Sequence, residues 1–396
     1  MVDTLYPFRL KLQFNMFTRL YLHIPFCRAK CPYCAFVSQE STSEPDGYVD
    51  LLLGEMRCAA GEMAGVRSLE SIYFGGGTPS LLNPDHVARL IARAAETFGL
   101  AMTAEITLEA NPGTVDPERL TGFRASGVNR LSLGIQSFND RLLATLGRIH
   151  TAKQAREAFS AARSAGFTNI GLDLIHALPS QTAEMWRNDL EQALALAPEH
   201  ISVYGLTVEE GTPFAERYRD NDPLLPDEDL AADMFELAHD LLTGHGYEHY
   251  EIANYARPGR RSRHNSGYWH RDGYLGLGAG AHSFLRDTGY GTRFSNVADL
   301  DEYTAAIGRG ILPRRDIHRL SREDAMAEAM FLGLRLADGV EFSAFEREFG
   351  VSPTVVYGQV FEELAAMGLV EVDNTGARLT RRGMLLSNQV FSRFLP

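Results

Sequence analysis

The chain has 396 residues, 45% of them hydrophobic, with 38 lysines and arginines against 51 acidic residues and a formal net charge of −13. That balance argues against a general binder of nucleic acid or anionic membrane, because phosphate affinity rests on surplus Lys and Arg; no apolar run approaches the ~18 residues that span a bilayer. Length predicts about two to three domains, and four cysteines, three of them clustered, do not make a disulfide framework. Residues 1–15 lack the unbroken apolar core of a signal peptide, and either Met1 or Met16 can serve as the natural start; with Met16, the preceding residues are an extension without functional weight. Free thiols and the missing leader together predict a cytoplasmic protein.

From about residue 19 to 205 the pattern repeats strand, loop, helix, with strand-like runs at 20–24, 71–74, 105–109, 130–135, 169–174 and 201–206. Between them Asn83-Pro84-Asp85 supplies an N-cap and a first-turn proline, Asp116-Pro117 repeats the signal, Gly166 stands where a helix ends, and Thr182 opens the next. Six strands alternating with helices predict a parallel sheet with right-handed crossovers, in the manner of a barrel or an incomplete barrel; a doubly wound open sheet shows the same alternation. In either, chemistry gathers where strands end and the following loops begin.

The loop after the first strand carries Cys27, Cys31 and Cys34, spaced CxxxCxxC, with Pro25 and Pro32. Clustered thiolates suit zinc or an iron–sulfur cluster. Zinc needs a fourth ligand, and the nearest candidate, His23, lies on the strand before the loop, where neighbouring residues point to opposite faces. Zinc is the weaker reading. A four-iron cluster on three cysteines keeps one iron open for a small molecule. Cys58, alone in a helical stretch, is an ordinary packed thiol.

The other strand ends are also unusual. Gly75-Gly76-Gly77-Thr78-Pro79 follows the second strand, where glycines allow positive φ and close approach, leaving N–H and C=O groups to a ligand. Glu109 ends the third strand, Gln136 the fourth with Arg148 following, Asp173 lies on the fifth, and Thr207 follows the sixth. Taken singly, each is more often a cap or a satisfied core hydrogen bond. A carboxylate, an amide, a guanidinium and a second carboxylate at successive strand ends suit a zwitterionic ligand carrying hydroxyls.

Past the sixth strand the sequence turns irregular. Arg257, Arg260, Arg261 and Arg263 precede His264-Asn265-Ser266-Gly267-Tyr268-Trp269. An imidazole, two flat rings and several guanidinium groups can hold haem, although residue types alone equally describe a surface loop with a hydrogen-bonded histidine. A final unit, 301–396, shows helical stretches at 325–336 and 353–367, a hairpin around Asp373-Asn374-Thr375-Gly376, and a last helix from about 382 to 394. Helices followed by a two-strand wing resemble a winged helix; Arg378, Arg381 and Arg382 are too few for nucleic acid, and a lid or partner surface fits better.

The run Tyr21-Leu22-His23-Ile24-Pro25-Phe26-Cys27, with CxxxCxxC, resembles the radical S-adenosylmethionine (SAM) superfamily and, within it, the oxygen-independent coproporphyrinogen III oxidase-like family. Phe36 stands where the coproporphyrinogen-converting enzymes carry a further cysteine, and His-Asn-x-x-Tyr-Trp at 264–269 resembles the HemW haem-chaperone branch. The resemblance implies an α/β fold, an incomplete parallel (β/α) barrel over 16–300 followed by the C-terminal helical, winged-helix-like domain. It implies a [4Fe–4S] cluster on Cys27, Cys31 and Cys34, with the free iron binding SAM. Tyr21, the backbone at Tyr33, Gly76, Gly77, Thr78, Glu109, Gln136, Arg148 and Asp173 are then SAM contacts; Thr207 and His282 match more loosely. His264 is then the residue that meets haem, and the function is transfer of haem to acceptor haemoproteins such as respiratory enzymes, with a homodimer compatible. The alternative is an oxygen-independent coproporphyrinogen III dehydrogenase, against which Phe36 and the His264 motif both weigh. His176-Ala177 departs from the usual Tyr-Gly, and Ala279 from a common Pro.

Overall fold

The computed structural model describes residues 16–41, 46–62, 68–219, 222–287 and 289–395; the expected extension at 1–15 lies outside the described residues. Six strands, β1 (Arg19–Ile24), β2 (Leu69–Gly76), β3 (Leu100–Ala110), β4 (Arg130–Gln136), β5 (Ile170–His176) and β6 (His200–Gly205), pair in sequence order and all in parallel. Five of the connecting helices are α1 (Asp46–Glu62), α2 (Pro84–Phe98), α3 (Pro117–Ala125), α4 (Ala152–Ser164) and α5 (Ala183–Leu196). Their starts follow the expected signals: Asn83, Asp116 and Thr182 accept backbone N–H groups in their first turns.

Alternation along each strand separates two chemistries. Leu20, Leu22, Ile24, Ile72, Phe74, Leu108, Leu131, Leu133, Leu172 and Leu174 are all fully buried in the main core. The intervening residues, Tyr21 and His23, Tyr73, Glu109, Arg130 and Ser132, and Asp173, give the other face its polar character. This second face is the concave interior of an incomplete barrel, and the strand order does not close on itself.

The sheet continues beyond the six strands at both edges. β7 (Glu248–Glu251) and β8 (Asn254–Ala256) extend it antiparallel beyond β6. On the opposite side, β9 (Tyr274–Leu277) runs parallel to β1, and β10 (His282–Leu285), β11 (Thr292–Asn296) and β12 (Arg314–Arg319) follow antiparallel, giving a 12-stranded mixed sheet. These strands have three to six residues and lie in the stretch whose sequence looks irregular. Runs so short carry too few alternations to register as a period.

A second core gathers Ala325, Met330, Leu334, Phe342, Phe345, Phe361, Leu364 and Phe394, and reaches back to Phe235. The helix Leu300–Gly308 buries Tyr303 and Ile307 in the first core. The wing has three strands, because Val340–Glu341 pairs with Gly376–Leu379 beside Val370–Val372. The expected last helix breaks at Leu386 into Arg381–Leu385 and Ser387–Phe391. The two cores meet at a cluster of charges. Arg271, its side chain 4% exposed, pairs with Glu328 at 3.4 Å and Glu348 at 2.7 Å, while Arg293 makes a two-pronged contact with Glu328. Among the described residues no helix is long and apolar enough to cross a membrane.

Candidate cofactor site

The cysteine loop is fixed from several sides. Gln39 N donates to Pro25 O at 2.8 Å and Ser41 N to Cys27 O at 2.8 Å, so the chain returns alongside the strand exit. Phe214 N donates to Pro32 O at 3.0 Å, and the Tyr33 and Phe214 rings lie 6.0 Å apart. Gly147, at φ 68°, packs so closely on Pro32 that a Cβ would stand 2.7 Å from its Cδ. Burial pushes the Cys27 and Cys34 thiols up; Cys31 raises Cys27 further, and Cys31 and Cys27 together raise Cys34.

The glycine turn presses on this loop. A Cβ on Gly77 would come within 2.7 Å of Phe26 O and 3.0 Å of Cys27 Sγ, so the position admits no side chain. Its N–H groups are not left free, contrary to the expectation from sequence: Gly77 N donates to Ile24 O, Thr78 N to Phe26 O, and Gly76 N to Glu109 Oε2. Pressed against the strand exit, the turn satisfies its donors internally and can meet a ligand only through acceptors.

Cys27, Cys31, Cys34, Tyr33, Gly76, Gly77, Thr78, Glu109, Gln136, Arg148, Asp173 and Thr207 all line one cavity of about 470 Å³, within the usual size of a small-molecule site. Tyr21 lies just outside, its ring stacked on that of Tyr73, which lines the cavity. Tyr73 OH donates to Glu109 Oε1 at 2.8 Å. Burial moves Glu109 up to about 7, Asp173 adding to the rise while the bond from Tyr73 opposes it. Burial also raises Asp173, against hydrogen bonds from Ser202 and Ser132. Gln136 has a φ of 67° at a slip in the β4–β5 ladder, local strain of a kind that concentrates at functional sites. Arg148 reaches Gly134 O at 2.7 Å and Cys31 Sγ at 3.6 Å.

The cavity also contains polar residues that strand-end reasoning passed over: Arg130, Ser132, Ser202, Tyr204 and Asn265. Four of them occupy the same alternating positions as Gln136 and Asp173, and that period was the signal available. Arg130 is 1% exposed, and its Nε and Nη1, with Nε of Arg148 and Oγ1 of Thr107, are buried without a partner among the described residues. Unsatisfied buried donors are costly, and such a wall fits a ligand rich in oxygen. Three sulfurs with no fourth cysteine beside them fit a cluster that keeps one iron open. Among the described residues no three His, Cys, Asp or Glu side chains are gathered closely enough to hold a single metal ion.

A model of the radical SAM superfamily matches residues 21–193, and one of the HemN C-terminal domain matches 320–386. The heme chaperone HemW of Lactococcus lactis is 39% identical to this chain, over 95% of this chain and 96% of that protein. The chain belongs to the HemW family. The HemW of Haemophilus influenzae is likewise 39% identical, over 95% of this chain and 97% of its own length. Among solved structures, coproporphyrinogen III oxidase (HemN) from Escherichia coli, described as a radical SAM enzyme, superposes with a TM-score of 0.83 at 26% identity, covering 96% of this chain and 91% of that one.

Two features of the HemW motifs take a different form in three dimensions from the one the sequence suggested. His-Asn-x-x-Tyr-Trp lies on a short helix, Arg263–Trp269, whose first N–H groups are capped by Glu105 at 3.1 and 3.0 Å. His264 is fully buried; its Nδ1 shares a hydrogen bond with Ser71 Oγ at 2.8 Å and its Nε2 one with Tyr268 OH at 2.8 Å. Both ring nitrogens are therefore engaged. Ala177 has a φ of 58°, which accounts physically for the glycine usual at that position.

Proposed function

We propose that this chain is a haem chaperone, binding haem and passing it to acceptor haemoproteins such as respiratory enzymes. The observation that carries the reading is the near full-length likeness to proteins named heme chaperone HemW, at 39% identity. Phe36, 68% exposed at the cavity wall where the coproporphyrinogen enzymes have a cysteine, supports it over the dehydrogenase alternative.

The cavity is read as the seat of a [4Fe–4S] cluster and SAM, with Cys27, Cys31 and Cys34 as the cluster ligands. Bound together, these groups supply one-electron chemistry at a sulfonium. The chain's own residues bind and orient. Carbonyl oxygens of the glycine turn and the Glu109 carboxylate accept from an ammonium group, Arg130 and Arg148 offer donors to oxygens, and Asp173, held by Ser132 at 3.2 and 3.1 Å, accepts from hydroxyls. Gln136 and Thr207 complete the walls, with Tyr21 stacked behind Tyr73.

The test is an anaerobic haem titration of reconstituted protein, followed by mixing with an apo-haemoprotein. Saturable binding and delivery to the acceptor are expected. Absence of saturable binding, or conversion of coproporphyrinogen III to protoporphyrinogen IX by the same preparation, overturns the reading.

A further inference from the structure

Beside the cofactor cavity lies a second one, walled by rings. Tyr21, Tyr268, Trp269, Tyr274 and Phe284 line about 310 Å³, together with His282. Its origin is a matter of register. Tyr73 lies opposite Tyr21, and Tyr21 opposite Gly276. Gly276 in turn adjoins His282, whose carbonyl oxygen would stand 2.0 Å from a Cβ added to the glycine. Residues in register share a face of the sheet. With no side chain at Gly276, and the His282 carbonyl standing where a Cβ would be, Tyr21 and His282 come to line one cavity.

The histidines near this cavity differ in what they offer, and His23 has both nitrogens engaged, by Tyr21 OH and Val37 O. His264 has both nitrogens engaged and is fully buried. His282 is exposed, and its ring has no hydrogen-bond partner among the described residues. An imidazole acts as a metal ligand through a nitrogen lone pair, and of these rings only that of His282 has one unoccupied by hydrogen bonding. The remaining walls suit a flat macrocycle. Tyr268 and Tyr274 meet edge to face at 4.6 Å, and Phe284 is stacked by Arg293 at 4.5 Å, itself held by Glu328. Nε1 of Trp269 is buried without a partner among the described residues, leaving one unsatisfied donor in the wall.

We propose that this ring-lined cavity is the haem seat, that His282 supplies the imidazole to iron, and that His264 is a positioning residue that fixes Tyr268 in the wall. The inference rests on the haem-chaperone reading. The haem then sits next to the SAM cavity, with the stacked rings of Tyr21 and Tyr73, 6.1 Å apart, between them.

The experiment is an anaerobic titration with ferric haem, read as difference spectra against the reconstituted protein, for the unsubstituted chain and for His282→Ala, His282→Met and His264→Gln. His282→Ala is expected to weaken binding about tenfold or more and to lose the imidazole-type spectrum, which added imidazole restores. His282→Met is expected to bind with an altered, thioether-type spectrum. His264→Gln is expected to weaken binding while keeping the unsubstituted spectrum. Circular dichroism and iron and sulfide content check that each variant is folded, and the exposure of His282 favours intact protein. An unchanged spectrum in His282→Ala, or loss of the imidazole-type spectrum in His264→Gln alone, overturns the assignment but leaves the chaperone reading standing. No saturable binding by the unsubstituted chain overturns both.

Discussion

The imidazole of His264 packs against the ring of Tyr73, centroids 4.9 Å apart. Because the Tyr73 hydroxyl donates to Glu109 at 2.8 Å, the HemW motif helix and the cofactor cavity share one continuous set of side chains. A change at the helix is therefore expected to be felt at a carboxylate that lines the cavity.

With Glu109 as a SAM contact, as proposed, SAM binding is expected to depend on pH. In the folded, ligand-free protein Glu109 titrates at about 7, well above the ordinary value of about 4.3. Above 7 it is charged and attracts a cationic ligand; below 7 it holds a proton and does not. SAM affinity is expected to fall by about tenfold for each pH unit below 7, measured by calorimetric titration of reconstituted protein. Glu109→Gln should flatten the dependence. Tyr73→Phe, which removes a bond that stabilises the charged form, should move the midpoint upward.

Replacement of Cys31 by alanine should abolish the brown chromophore and stoichiometric iron and sulfide after anaerobic reconstitution. Its thiol accepts from Arg148 at 3.6 Å but closes no backbone contact, so far-UV circular dichroism is expected to stay unchanged. Retention of iron and sulfide would remove Cys31 from the ligand set.

Gly77→Ala tests the contact between the glycine turn and the cysteine loop. The added carbon would stand 2.7 Å from Phe26 O and 2.9 Å from Phe26 N, both backbone atoms that cannot swing away. Overpacking of this kind costs about 1–3 kcal/mol, and urea unfolding should show it. Because the displaced segment leads directly into Cys27, cluster retention is expected to fall as well. Gly166→Ala serves as the control for a glycine whose added carbon meets nothing within 4 Å, although its φ of 90° carries strain of its own.

Glu328 joins the two cores. Truncation to alanine strips Arg293 of its two-pronged partner and leaves Arg271, almost wholly buried, with Glu348 and the Tyr290 carbonyl. Breaking a buried pair costs about 3–5 kcal/mol. The expected outcome is a lower thermal midpoint, with the C-terminal unit loosening first in hydrogen exchange. An unchanged midpoint would show that apolar contacts alone hold the two cores together.

The sequence made the six parallel strands legible because each pairs a run of apolar residues with a polar partner set at period two, bounded by capped helices. The strand-end residues were legible for the same reason: Glu109, Gln136 and Asp173 interrupt apolar strands where an interruption is expensive. The flanking strands were not. Asn254-Tyr255-Ala256 and Tyr274-Leu275-Gly276-Leu277 are too short for a period to show, and they pair with strands far away in the chain. His264 stood out in the sequence but its surroundings did not, since nothing in its neighbours reveals that Ser71 and Glu105, from two other strands, come to meet its ring and its backbone. Arg130 was hidden differently: a strand-opening arginine looks like a solvent-facing residue until the barrel curls over it.

The position of β1 sets an order of events during synthesis. Three cysteines leave the ribosome within the first tenth of the chain, yet the strand that carries their loop is interior to the sheet, with Ser71 and Tyr274 on either side of Arg19. The second flank is made only after four further crossovers and the strands β7 and β8 have emerged. Pairings so distant in sequence form slowly, so the thiols spend most of translation, and the early part of folding, attached to an unfinished scaffold. The loop acquires its final shape last although it is made first, and loading of anything it holds belongs to the completed chain.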